Sequence, residues 1–384
     1  MEKKGKKQKT MKIPIVVSIL LSIIFILVIL YFTIKPEDIE KIKTIRIQYE
    51  FFILAFIFNF ISWSFWGLRL KVLSNAVEPL IKISWWESIK IVMANLFLAG
   101  ITPSMAGGEP VRIYLLNKDG LSFGCATASV LGERLLDAIF LLICVPFAFF
   151  IFRDKIDISY INIGITIGII IFLITIFLFL YAIFRPQRVK GLLIWINEKL
   201  SRFSKKNEKK SRVISRINQE VDNFHCSMMV FLKKKKGVFL SAGFLTFIMW
   251  VFSWLIASMV LFGIGINHNI VYSMAAQVFL IIIIMMPTTP GSAGVTELGV
   301  AGLYSFVISN ALVVYGHPLV GVLGFDQALL ALTGIFVLFY KLMTYFVNII
   351  VGAFFQYRIF KSVASFSMDM IKKQEQEVKI EKKL

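Results

Sequence analysis

The stretch "PTTPGSAGVTELG", Pro287 to Gly299, lies between two apolar runs, "QVFLIIIIMM" and "VAGLYSFVI". Both neighbours are apolar enough to sit in lipid. Between them stand two prolines, three glycines and one carboxylate, Glu297. Proline and glycine in this density end a helix. Non-helical backbone at membrane depth is tolerated only where protein or water shields it. The stretch therefore predicts a break between two membrane helices, with its tip lining a cavity.

The composition supports placing these runs in a membrane. The chain has 384 residues, of which 58% are hydrophobic and only 17% charged. A soluble domain needs a polar exterior that this composition does not supply. Several apolar runs exceed the roughly 20 residues that span a hydrocarbon core of about 30 Å. The expected fold class is all-α: a polytopic helical membrane protein. The net charge of +19 is concentrated in "MEKKGKKQKTMK", between Arg185 and Lys236, and in the tail. Basic segments flanking spans mark the cytoplasmic side and attract anionic lipid heads, so nucleic acid is not an expected partner. Cys125, Cys144 and Cys226 show no paired or metal-binding spacing. No metal and no cofactor is expected.

Working outward gives the organisation. Residues 1–12 form a basic cytoplasmic N-terminus, and 13–184 a first membrane half with spans near Ile13–Ile34, Phe51–Leu68, Ala126–Phe152 and Tyr160–Phe184. Residues 185–236 form a basic cytoplasmic segment. In it Val189, Leu192, Leu193, Ile196 and Leu200 share one face of an amphipathic interfacial helix. Further along, Ile217, Val221, Phe224, Met228 and Phe231 keep the spacing of a packing seam. Residues 237–360 form the second membrane half, with spans near Val238–Phe262 and Val271–Met286, a return over Val295–Ser309, and a long apolar region over Leu319–Phe355. Residues 361–384 form a basic cytoplasmic tail. Ile13–Ile34 is too long for a signal peptide and reads as a retained anchor.

Keeping the N-terminus, the Arg69–Lys82 loop, the central segment and the tail inside leaves two segments that enter and leave on one side. Glu87–Leu116 does so from the cytoplasm and Val271–Ser309 from outside. Their tips, "TPSMAGGEPVR" and "PTTPGSAGVTE", share a proline, then small residues, then a glutamate opening a new helix. Two oppositely oriented broken or re-entrant hairpins predict an inverted repeat, whose half-helix ends meet in a polar site. The helices after Gly294 and at Pro110 would aim positive dipole ends into that site, favouring anions such as phosphate.

The ionisable residues of these segments define the candidate site. Glu297 suits the third helical position after an N-cap at Gly294; Glu109 opens the equivalent helix. In "GERLLD", Glu133 and Asp137 lie four apart on one face, with Arg134 three before Asp137. Two acids and a base inside an apolar span read either as an ion-paired structural knot or, with Arg134 and Arg112 together, as a phosphate-holding pair suited to guanidinium geometry. Lys341 in "LFYKLMTYF" either joins this set or snorkels to the interface. Asp326 and Gln327 are the other polar residues inside the last apolar region. Gly291 and Gly294 supply the bend.

"GGEPVRIYLL", "GERLLD", "PTTPGSAGVTELG" and "LFYKLMTY", in this order, resemble the membrane domain of the lysylphosphatidylglycerol synthase and flippase family, over about Ile13 to Phe360. The resemblance implies an integral membrane domain that moves, or helps to use, a phosphate-bearing lipid. The family's usual Pro-Gly-Gly before the last glutamate is here Pro290-Gly291-Ser292-Ala293-Gly294, and its usual arginine is here Lys341. The sequence also departs from the full bacterial proteins of that family: the residues after Phe360 read as a basic tail and not as a large aminoacyl-transfer domain, so this chain is not expected to make lysylphosphatidylglycerol.

No HExxH, DDxxD, CxxC, P-loop or GxSxG occurs. His225, His268 and His317 fall in or near loops, where solvent exposure or helix capping is expected. The chain is thus expected not to be an enzyme and to have no catalytic residue. Its expected partner is membrane lipid, anionic and phosphate-bearing, and its expected role is translocation. The alternatives are an intramembrane lipid-phosphate transferase and a small-solute transporter.

Overall fold

The structure is a computed structural model. It describes residues 46–102, 107–152, 184–201, 221–284 and 294–355, with scattered positions at 23, 24, 27, 28, 31, 170, 173, 174, 177, 181, 218 and 219. The expected spans at Ile13–Ile34 and Tyr160–Phe184 and the tail at 361–384 lie outside them, apart from scattered positions.

Among the described residues every regular element is helical. The first run comprises α1 (Tyr49–Val77), α2 (Trp85–Ile101), α3 (Gly108–Lys118) and α4 (Phe123–Phe152); α5 (Pro186–Ser201) follows. The second run comprises α6 (Lys236–Gly263), α7 (Ile270–Ile284), α8 (Val295–Tyr315), the short α9 (Pro318–Leu323) and α10 (Phe325–Phe355). α1, α4, α6, α8 and α10 are long and apolar enough to cross a membrane. The chain is a multi-pass membrane protein.

Local chemistry sets the boundaries. Ser84 caps α2 reciprocally: Glu87 N donates to Ser84 Oγ at 3.2 Å and Ser84 N to Glu87 Oε2 at 2.8 Å, which satisfies two of the helix's otherwise unpaired amides. At the end of α1, Lys235 Nζ donates to Ala76 O at 2.9 Å. His317 accepts from Leu319 N at 3.2 Å and caps α9. Gly324, at φ +80°, separates α9 from α10 and so splits the long apolar region. Asp326 then falls in the first turn of α10, exposed, at the very start of that span. His268 departs from the expectation of solvent or a cap. It is buried against the Phe262 ring at 4.5 Å, and burial pushes its imidazole down to about 4.

The two runs pack in matching order. α1 contacts α2, α2 contacts α3, α3 contacts α4, and α1 contacts α4. Likewise α6 contacts α7, α7 contacts α8, α8 contacts α10, and α6 contacts α10. α1 and α6 lie along each other more extensively than any other pair. Across the halves α7 packs on α4, and α2 meets the end of α10 through Phe97, Ile101, Tyr345 and Ile349. The α2–α10 approach is close. A Cβ on Gly352 would sit 2.8 Å from Met93 O and 2.9 Å from Phe97 Cβ, so small residues let these backbones meet, as membrane helix packing favours. Gly352→Leu is expected to lower stability by about 1–3 kcal/mol through overpacking, read as an earlier unfolding transition in detergent.

The seam of the central segment packs as its spacing predicts. Val221, Met228 and Phe231 are buried. Met228 and Phe231 join Leu73, Ala128, Leu135 and Ala242 from α1, α4 and α6. A π turn at Val230–Lys234 leads into α6. α5 carries exposed Leu192 and Trp195 and is tied to the seam by Lys190 Nζ and Asp222 Oδ1 at 2.7 Å.

Candidate functional site

The apolar run that predicts a span at Phe51–Leu68 continues as helix to Val77. Arg69 and Lys71 therefore belong to α1 and not to a loop, which corrects the Arg69–Lys82 assignment. The reason is a set of partners that hydrophobicity alone does not reveal. Arg69 is buried and donates from Nε to Glu133 Oε1 at 3.0 Å and from Nη1 to Asp137 Oδ1 at 2.5 Å and Thr246 Oγ1 at 3.0 Å. Trp250 Nε1 donates to the same Asp137 Oδ1 at 2.9 Å. Arg69, Thr246 and Trp250 were not legible as site residues singly. Asn59, Ser62 and Arg69 nonetheless share the buried face of α1 with Leu73 and Ala76. That polar stripe on an apolar helix is the signal that finds them.

Arg112 and Arg134 do not stand as a bare cationic pair. Arg112, on α3, is fully buried and its Nη1 donates to Glu133 Oε2. Its Nε and Nη2 have no partner among the described residues, and its guanidinium lies 5.4 Å over the Trp66 ring. Arg134 turns the other way. Its Nε donates to Glu109 Oε1 at 2.6 Å and its Nη1 to Asp137 Oδ2 at 3.4 Å. Glu109 and Arg134 keep side-chain exposures of 39% and 42%. The first half thus joins Arg69, Arg112, Arg134, Glu109, Glu133 and Asp137 in one network: three cations and three anions, with only the Glu109–Arg134 pair open.

The position of that pair follows from helix geometry. Glu109 lies in the first turn of α3, which starts at Gly108, two residues before the expected Pro110. Arg134 lies about 16 Å along α4 from Phe123, at 1.5 Å per residue. That is a little over a third of this 30-residue helix, well inside the span and away from both of its ends.

The second half repeats the motif in buried form. Gly294, at φ +87°, turns the chain into α8, and its N–H donates to Glu297 Oε2 at 2.7 Å. The expected cap is therefore present. Glu297 Oε1 also receives Lys341 Nζ at 3.0 Å, with side-chain exposures of 0% and 2%. Lys341 does not snorkel. Its Nζ lies 4.6 Å over the Tyr345 ring, and Tyr345 Oη donates to Gly100 O at 3.2 Å, at the end of α2. A cation over an aromatic face is attracted by the ring quadrupole. The second half's ion pair thus reaches the break of the first hairpin. A π turn, Leu342–Phe346, follows Lys341 directly, and Asn59 Nδ2 from α1 donates to Met343 O within it at 2.7 Å. Beside the pair, Tyr340, Gln277, Tyr304 and Ser273 form a closed buried chain of hydrogen bonds across α10, α7 and α8. Gly291, with the rest of Pro287–Ala293, lies outside the described residues, as do residues 103–106 of the first tip.

Comparison with known proteins agrees with the sequence motifs. The family described as lysylphosphatidylglycerol synthase TM region matches residues 15–325. A UPF0104 membrane protein of Archaeoglobus fulgidus is 32% identical over 340 residues, covering 88% of this chain and 94% of its own. UPF0104 membrane proteins of Methanothermobacter thermautotrophicus and Methanocaldococcus jannaschii are 25% and 29% identical, covering 71% and 75% of this chain and 80% and 84% of theirs. No solved structure gives a significant match. With one family covering most of the chain and the first of these relatives aligned nearly end to end, the chain belongs to the lysylphosphatidylglycerol synthase transmembrane-region family.

Proposed function

We propose that the protein translocates, or assists translocation of, a phosphate-bearing lipid across the bilayer. The observation that carries this reading is the Glu109–Arg134 pair: part exposed, beside a helix break, and more than a third of the way along a membrane helix. Charged side chains at such a depth are costly to leave facing acyl chains, and they mark paths for polar groups. A head group can be received at this pair without dismantling the buried Arg69–Glu133–Asp137 core behind it. The matching contact order of the two halves supports an internal repeat. In this reading the halves are oppositely oriented, and the basic N-terminus, central segment and tail face the cytoplasm. The lipid's phosphate approaches Arg134, and its tails remain in the bilayer.

The test is reconstitution of the full chain in vesicles with acyl-labelled phospholipid and polyprenyl-phosphate sugar, scoring the lipid accessible in each leaflet. Movement of unchanged lipid above protein-free vesicles is expected. Chemical change of the lipid would replace this reading with the transferase, and solute flux alone with the solute transporter. Arg134→Ala is expected to reduce lipid movement at least tenfold, and its cost in stability is expected to stay below that of breaking a fully buried pair, since Glu109 keeps a side-chain exposure of 39%. Wild-type movement in that variant would remove Arg134 from the path.

A further inference from the structure

We infer that the head group this site receives is a net-neutral zwitterion, carrying a phosphate and an ammonium together, and not a net-anionic phosphate. The inference rests on the translocation reading and sharpens its substrate class. Its basis is the charge balance of the first-half network. Three guanidiniums face three carboxylates, and every member except Glu109 and Arg134 is buried. The face left open therefore presents one cation and one anion, Nε to Oε1 at 2.6 Å.

A lone phosphate that engaged Arg134 would displace Glu109 and leave its carboxylate without a cation inside a membrane-spanning bundle. An unpaired charge there is costly even where it keeps some access to water. Asp137 gives Glu109 no relief, since it is itself an anion already held by Arg69 and Trp250. A head group with both charges replaces each partner with its equivalent: phosphate on Arg134, ammonium on Glu109. In the same network, Nε and Nη2 of the buried Arg112 have no partner among the described residues and form the guanidinium edge that pairs with two oxygens at once. In the proposed site this edge supplies the second phosphate contact. The second-half pair, Glu297–Lys341, is again one anion and one cation. A zwitterion can therefore exchange partners at either pair without a change in local charge.

The experiment uses the full chain in neutral-lipid vesicles with three acyl-labelled probes of identical tails: a phosphoethanolamine, a phosphoglycerol and a head group with one further ammonium. The net-neutral probe is expected to cross about tenfold faster than either charged one, the ratio that about 1.4 kcal/mol of discrimination gives. Glu109→Gln removes the shorter of Arg134's two ion pairs and leaves the network with one excess positive charge, so its preference is expected to move toward the phosphoglycerol probe. Equal or faster movement of a charged probe by the wild-type chain would overturn the zwitterion inference and leave translocation standing. If no probe moves faster than in protein-free vesicles, translocation itself fails and the inference falls with it. The wild-type comparison decides the question whether or not the variant folds.

Discussion

Glu133→Leu is expected to cost about 3–5 kcal/mol of folding stability, the range found when one partner of a buried ion pair is removed. Glu133 is the single bridge between two guanidiniums, Arg69 through Oε1 and Arg112 through Oε2. Neither can escape to solvent, since both are essentially fully buried. Without Glu133, Arg69 keeps Asp137 and Thr246, whereas Arg112 loses its one side-chain hydrogen bond among the described residues and keeps the face of Trp66. Guanidinium stays charged at any ordinary pH, so the strain cannot be relieved by losing a proton. Glu133→Gln retains an acceptor but not the charge, and its loss is expected to fall between wild type and Glu133→Leu. Denaturant unfolding in detergent measures the difference. A Glu133→Leu protein within about 1 kcal/mol of wild type would show that the network is not what holds α1, α3 and α4 together.

The same residues show how much of this protein can be read from its sequence. Length and hydrophobicity place α4, α6, α7 and α8 to within a few residues at most boundaries, because a bilayer tolerates little but continuous helix. Gly294 and Glu297 are legible as a cap from spacing alone, since capping is local chemistry. The length of the last apolar region shows that it cannot be one straight span, but only the positive φ at Gly324 shows where it splits. Arg69 is missed for a different reason. Its partners lie 64 and 68 positions away on α4, and a charge following an apolar run looks like a span ending. Only tertiary pairing turns it into the centre of the network. Lys341 shows the same limit from the other side. Snorkelling and burial predict the same letter in the sequence, and a carboxylate on another helix decides between them.

Lys341→Met is expected to be the second large loss, about 3 kcal/mol or more, because it leaves the fully buried Glu297 with Gly294 N–H but without its cation. The double variant Lys341→Met with Glu297→Gln is expected to recover to within about 1 kcal/mol of wild type. Neither charge then remains to be compensated, and replacing a whole buried pair is often neutral or better. Glutamine also keeps an oxygen at the third helical position for the cap. Stability and transport should part company at this point. The recovered double variant folds, but it has no exchangeable charge at the second pair, so lipid movement in vesicles is expected to stay at the protein-free rate. Lys341→Arg should keep both, since a guanidinium can hold Glu297 and still lie over Tyr345. A double variant that folds and still moves lipid at the wild-type rate would show that Glu297 and Lys341 serve only to join α8 to α10, and that the path runs through the first half alone.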